Sequence, residues 1–262
     1  SYSSQENVAE KSSQLLETRA LLNATEVTEY LNEAIYRSEM LAANALFTKT
    51  NSEENFGASE DLRTALDEMV RKSVINFESI RGAYLVFKPQ MLDGEDNNYE
   101  NADYVGSNEA GRFAAYWQQS VDGENVLPHV LSEQAINDAA NSERFFCSVS
   151  TGDTCVSTPR LVESEQGTVL TASISVPISI DDTPIGFFGI DLNLNGLSSV
   201  ASASDASLFA GQGQVYIVSL SGALIASDNS ALKAGDPFSS KSLPSDKLTD
   251  LLFGGEVASF WS

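Results

Sequence analysis

The first 47 residues contain neither glycine nor proline. Val8, Leu15 and Leu22 recur every seven positions, and Leu31, Ile35, Ala42 and Leu46 continue the stripe at steps of four, seven and four. That spacing predicts one amphipathic helix, because side chains three, four and seven apart share a helical face. At 1.5 Å per residue it would reach about 70 Å, longer than a small domain is wide. Such a helix must act as a spine for other parts or as a coiled-coil arm. A polar segment, Thr48 to Gly57, is expected to break it. Ser59 then offers an N-cap, with Glu60 and Asp61 where the helix dipole favours acids. Leu62, Leu66, Met69, Val70 and Phe77 form the buried face of this second helix.

After residue 80 the apolar period falls from 3.6 to 2. Strands are expected at Ala83–Phe87, Arg112–Gln118, Asn125–Leu131, Cys155–Glu163, Val169–Ile180 and Ile185–Leu194. A polar loop over Met91–Asn108 and a helix over Ala135–Phe146 lie between them. These segments predict an antiparallel sheet flanked by helices, an α+β unit. A smaller unit follows: a helix over Gly196–Phe209, a hairpin of Val215–Val218 and Ala223–Ala226 around Leu220-Ser221-Gly222, a short helix over Asp246–Leu252, and a strand from Glu256 to Trp261. The expected division is helices over 1–78, a first sheet unit over 79–195, and a second, shorter unit over 196–262.

Thirty-seven acidic residues against 15 basic give a net charge of −22. A nucleic-acid partner is therefore not expected, since phosphate binding needs a basic face. The charge fits a self-repelling, solvated surface, and it also allows an acidic pocket for cations. No run of 18 apolar residues exists that would span a bilayer. Ser1–Gln5 and Ser259–Ser262 read as edges of a piece taken from between two membrane segments. The two cysteines, Cys147 and Cys155, suit either inert core thiols or a local disulfide in an oxidising compartment.

Catalytic signatures are weak. His129 is the only histidine, it follows Pro128, and no GxSxG elbow accompanies it. Gly211-Gln212-Gly213 lacks the strand and helix of a dinucleotide site. Asp93, Gly94, Glu95 and Asp96 lack EF-hand spacing. No enzyme activity, cofactor or metal is expected.

Several segments, taken in order, resemble the double Cache sensor domain of bacterial methyl-accepting chemotaxis receptors. Gly82-Ala83-Tyr84-Leu85-Val86-Phe87-Lys88-Pro89 and Leu92-Asp93-Gly94-Glu95-Asp96 are similar to that family's first strand and loop. Gly111-Arg112-Phe113-Ala114-Ala115-Tyr116-Trp117 resembles its GRFxxYW segment. Phe146-Cys147, Cys155 and Pro159 resemble its aromatic–Cys…Cys…Pro stretch. Val176-Pro177-Ile178 and Gly186-Phe187-Phe188-Gly189-Ile190-Asp191-Leu192 are similar to its closing strands.

The resemblance implies two PAS-like antiparallel units behind a long helix, the second here truncated. It implies a periplasmic location on the bacterial inner membrane, with membrane contact only through segments absent from this sequence. A homodimer through the N-terminal helix, a Cys147–Cys155 disulfide and a small-molecule ligand, an amino acid, amine or related zwitterion, are also implied. The expected ligand-binding residues are Asp191, Trp117, Tyr116, Phe146, Arg160 and Arg112. Asp191 takes the position that holds the ligand amine, and Trp117, Tyr116 and Phe146 would supply apolar walls and cation–π faces. Their other reading is ordinary core packing. Arg160 stands where Tyr is usual and Val162 where an Asp is usual, and the carboxylate-binding Arg falls at Glu143 or Arg144. Arg160 suits a carboxylate or sulfonate, or else pairs with Glu163 or Glu165 on the outer strand face.

Overall fold

The computed structural model describes residues 29–157, 159–164, 167–194, 216–218 and 224–227. The stripe positions Val8, Leu15 and Leu22 lie outside them. Helix α1 runs over 29–54 and does not break at Thr48. The polar residues there sustain the helix: Thr48 bonds the Asn44 carbonyl at 2.8 Å, and Lys49 pairs with Glu53 one turn on. Polarity without glycine or proline does not stop a helix. The stop comes at Phe56, with φ +53°, and Gly57, whose N–H bonds the Ser52 carbonyl at 2.8 Å.

Ala34, Ser38, Ala42, Ala45 and Lys49 are the buried positions of α1, while Leu31, Ile35 and Leu46 pack partly buried beside them. Small residues on the inner face let the helix lie close to its neighbours. Helix α2, Ser59–Ile75, buries Leu62, Leu66, Val70 and Val74. Its N-cap is Ala58, with no side-chain cap, because the Ser59 hydroxyl donates to Asp93 instead.

The strands are β1 (Ile80–Phe87), β2 (Ala114–Gln119), β3 (Val126–Val130), β4 (Cys155–Val156), β5 (Arg160–Ser164), β6 (Gly167–Ile180) and β7 (Thr183–Asn193). They form one sheet in the order β3-β2-β1-β7-β6-β4, with β5 also on β6, and the pairs are antiparallel. The expected strand Cys155–Glu163 is two strands, since Pro159 has no N–H to give to a ladder. The expected helix Ala135–Phe146 is also broken. It becomes α3 (Glu133–Asn137), a 3-10 turn at Ala139–Asn141, α4 (Ser142–Phe145) and α5 (Cys147–Thr151). Asp138, Asn141 and Ser142 restart the chain, the Asp138 carboxylate accepting the Ala140 N–H at 2.9 Å. Cys147 and Cys155 are disulfide-bonded, tying α5 to β4 across eight residues. A loop this short contributes about 2–3 kcal/mol if disulfides act by restricting the unfolded chain.

Strand alternation gives the sheet two different faces. One carries Ala83, Leu85, Phe87, Ile174, Phe188 and Ile190 into a large core with α1 and α2. The other carries Tyr84, Val86, Ala114 and Phe187 into a smaller cluster with Leu131, Ile136 and Phe145. Beyond residue 194 the described part is a hairpin, β8 (Tyr216–Val218) with β9 (Leu224–Ser227), as the pattern there predicts. The helices expected over Gly196–Phe209 and Asp246–Leu252 and the strand from Glu256 to Trp261 lie outside the described residues, as do both chain ends.

Candidate functional site

The smaller face holds a buried acid. Asp191 lies near the end of β7, opposite Gly82 of β1 and Ser173 of β6. A carboxylate in so apolar a strand needs partners, because burying an unpaired charge is costly. It has five hydrogen bonds. Oδ1 accepts from Ser173 Oγ at 2.6 Å, Arg160 Nη2 at 3.1 Å and Arg144 Nη2 at 3.2 Å. Oδ2 accepts from Arg144 Nη2 at 3.0 Å and from the Tyr116 hydroxyl. Burial pushes the Asp191 carboxyl up, but Arg144 and Arg160, with Ser173 and Tyr116, hold it below the ordinary range. It is a carboxylate at neutral pH.

Arg144, at the end of α4, enters over aromatic rings. Its guanidinium lies 4.7 Å from the Phe145 centroid, 5.5 Å from Tyr84 and 5.9 Å from Tyr116. Burial and the nearby Asp191 charge raise both phenols well above their usual range, so both stay neutral. Two glycines make room. A Cβ on Gly82 would lie 3.0 Å from the Tyr116 ring and 3.3 Å from Asp191 Oδ2, and one on Gly189 would sit 2.2 Å from the Tyr84 ring. Among the described residues, two buried side-chain polar atoms lack a hydrogen-bond partner: Tyr84 Oη and Arg144 Nε. Among the described residues Asp191 is the only carboxylate within ion-pair distance of either arginine.

Of the expected site residues, Asp191, Tyr116 and Arg160 come together here. Trp117 does not: consecutive strand residues face opposite ways, and its indole N–H bonds Asp67 of α2 at 2.9 Å on the other face. Phe146 is 62% exposed, and its neighbour Phe145 is the buried ring, packed on Tyr84 and Phe187. Arg112 is paired with Glu133 at the start of α3, with Nε to Oε1 at 3.0 Å. Arg160 reaches inward to Ser173 and Asp191, and Glu165, one of the two acids expected as its other partner, lies outside the described residues. Of the two positions between which the resemblance left the family's arginine, Arg144 is the one paired with Asp191. In this structure two guanidinium groups partner Asp191, which the sequence did not reveal. Sequence reasoning missed Ser173 and the site role of Tyr84, although alternation from Asp191 and Tyr116 points to that face. No cluster of metal-ligating side chains occurs among the described residues. Asp93 and Asp96, in the acidic loop, pair with Arg63.

This fold is shared with bacterial sensory domains. No family model matches the sequence. The chain is 30% identical over 213 residues to the methyl-accepting chemotaxis protein TlpQ of Pseudomonas aeruginosa, a homologue; the match covers 79% of this chain and 30% of that receptor. The chain thus spans less than a third of this relative's length. Among solved structures, it superposes on an extracellular domain assigned to a histidine kinase, mmHK1S-Z2, with a TM-score of 0.65 and 20% identity, over 87% of this chain and 75% of that one. It also superposes on the ligand-binding domain of the Pseudomonas aeruginosa amino acid chemoreceptor PctC in complex with GABA, with a TM-score of 0.54 and 12% identity, over 86% and 79%. The architecture is the sensory-domain fold of chemoreceptors, as the sequence resemblance implied, and it is shared with histidine-kinase sensory domains. No helix among the described residues is long and apolar enough to cross a membrane.

Proposed function

We propose that this chain is the extracytoplasmic sensing domain of a chemotaxis transducer at the bacterial inner membrane. It binds an amino acid, amine or related zwitterion at the Asp191 group and has no enzymatic activity. The observation that carries this reading is the buried, ionised Asp191, paired with the half-buried Arg144 and Arg160 on the sheet face away from α1 and α2. Buried ionisable groups with strong perturbation cluster at functional sites. The unit over 79–195 would be the membrane-distal, ligand-holding one, and 196–262 part of the proximal one. The histidine-kinase neighbour keeps a kinase output as the second reading. A thermal-shift screen of amino acids and amines tests the binding claim. A ligand at 100 times its dissociation constant adds about 2.7 kcal/mol of stability. A specific ligand whose affinity falls with Arg144→Gln supports the site; a screen without any binder refutes it. In the intact receptor, loss of methylation or attractant response on deleting this segment separates chemotaxis from kinase output.

The partner copy of the dimer would pack on α1. Tyr36, Met40 and Phe47 are 63%, 55% and 68% exposed, at steps of four and seven. At 3.6 residues per turn they fall opposite the buried Ala34, Ala42 and Ala45. A monomer or weak dimer is expected in isolation, because membrane tethering normally raises effective concentration. The double change Met40→Glu with Phe47→Glu is expected to weaken self-association by about tenfold or more. Sedimentation equilibrium unchanged by it would remove this stripe from the interface.

A further inference from the structure

We infer that the Asp191 site selects an organic carboxylate, held by Arg144 and Arg160, and that Asp191 is the internal counterion of those two guanidinium groups rather than the contact for a ligand ammonium. The inference rests on the Asp191 group being the ligand site. Three independent observations lead to it.

The first is saturation. A carboxylate offers about four lone-pair sites. Asp191 already accepts five hydrogen bonds, from Ser173, Tyr116, Arg160 and twice from Arg144. An ammonium group would have to displace a guanidinium to reach it, leaving that guanidinium buried without a counterion.

The second is charge. Two guanidinium groups face one carboxylate, and no other carboxylate among the described residues lies within ion-pair distance of them. Among the described residues the group therefore carries one more positive than negative charge, although the chain as a whole has a net charge of −22. An anion neutralises it, and a cation adds to the excess.

The third is hydrogen-bond polarity. Among the described residues the buried side-chain atoms without a well-formed hydrogen bond are Arg144 Nε and Tyr84 Oη, the latter close enough to Ser173 to feel its hydroxyl. The guanidinium nitrogen can only donate, and the phenol donates readily. Both are answered by an acceptor, which a carboxylate brings and an ammonium lacks. The aromatic faces that would cradle an ammonium, Tyr84, Tyr116 and Phe145, are already covered by the Arg144 cation. A guanidinium fork binds a planar carboxylate through paired N–H groups.

Calorimetry with matched probes, at constant ionic strength set by sodium chloride, tests the inference. Sodium butanoate, butylamine and 4-aminobutanoate form one set, and succinate, putrescine and aspartate another. Binding is expected for members that carry a carboxylate and not for butylamine or putrescine. Arg144→Gln weakens it by about tenfold or more, as loss of a buried charge partner does, and Arg160→Gln, at a partly exposed cation, by about threefold or more. Asp191→Asn keeps a side chain that Tyr116 and Ser173 still contact. It is expected to retain or tighten carboxylate binding, because it frees both arginines. An ammonium-contact role requires that same change to abolish binding. Should Asp191→Asn fail to give the parent's circular dichroism, Arg160→Gln decides alone. It weakens a carboxylate if the inference holds, and tightens an amine, by unburdening Asp191, if it does not. Amines binding without a carboxylate, or no carboxylate in either set binding, overturns the inference while leaving the site in place. Binding indifferent to all three substitutions overturns the site itself, and the inference with it.

Discussion

Replacing Arg63 by methionine is expected to lower the free energy of unfolding by about 3–5 kcal/mol, the usual cost of removing one partner from a buried ion pair. Arg63 is 0% exposed and uses every arm of its guanidinium. Nε and Nη2 reach Asp93 at 2.9 and 2.8 Å, Nη2 reaches Asp96 at 2.8 Å, and Nη1 reaches Ser107 Oγ at 2.8 Å and the Gly111 carbonyl at 2.7 Å. The Tyr99 ring lies 4.2 Å below. This one side chain of α2 therefore fastens the long polar segment between β1 and β2. Methionine fills similar volume but strands two acids. The effect depends on pH with a definite sign. Burial pushes Asp93 up, while bonds from Arg63 and Ser59 bring it below its ordinary range. A lowered folded-state pKa contributes stability above the unfolded value, about 4, and that contribution is lost as pH falls through the folded value. Urea unfolding at neutral and acidic pH should show a large deficit in the variant at neutral pH that narrows on acidification. A deficit under about 1 kcal/mol at neutral pH would mean that water, not Arg63, satisfies these acids.

Gly189→Ala is expected to cost about 1–3 kcal/mol, as overpacking of a filled core does. The new methyl carbon would lie 2.2, 2.3 and 2.5 Å from Cε2, Cζ and Oη of Tyr84. Tyr84 is fully buried between Tyr116, Phe145 and Phe187 in edge-on contacts, so its ring has nowhere to retreat without moving them. Because Arg144 rests on the same rings, the change should also impair ligand response. Melting temperature and ligand-induced shift measured together check this. A variant as stable as the parent, with an unchanged shift, would show that the aromatic cluster yields freely.

The order of elements was legible because the hydrophobic period changes sharply near residue 80, and because strands with one apolar face announce themselves by alternation. Element ends were less legible. Thr48 looked like a terminus for its polarity, while Ser142 and Pro159 interrupt runs that read as continuous. In the site, Asp191 stood out as an acid in an apolar strand, and Tyr116 and Arg160 are there with it. Trp117 and Phe146 were expected as apolar walls from segments that resemble the family's, and neither reaches the Asp191 group. A strand sends consecutive side chains to opposite faces, so Tyr116 and Trp117 could not both have lined one pocket. Arg144 was not distinguishable from Glu143, since the break before α4 sets which of them turns inward. The pairing of Asp191 with two arginines was not readable, because it depends on β5, β6, β7 and α4 meeting in space.

Tyr116 and Trp117 adjoin on β2, yet one is bonded to Asp191 and the other to Asp67. A single peptide unit separates the carboxylate of the site from the carboxylate on α2. Any rotation of β2 about its own axis would swing the two side chains sideways in opposite senses, so Asp191 and Asp67 would both feel it, while β1 and β3 grip the strand backbone on either side.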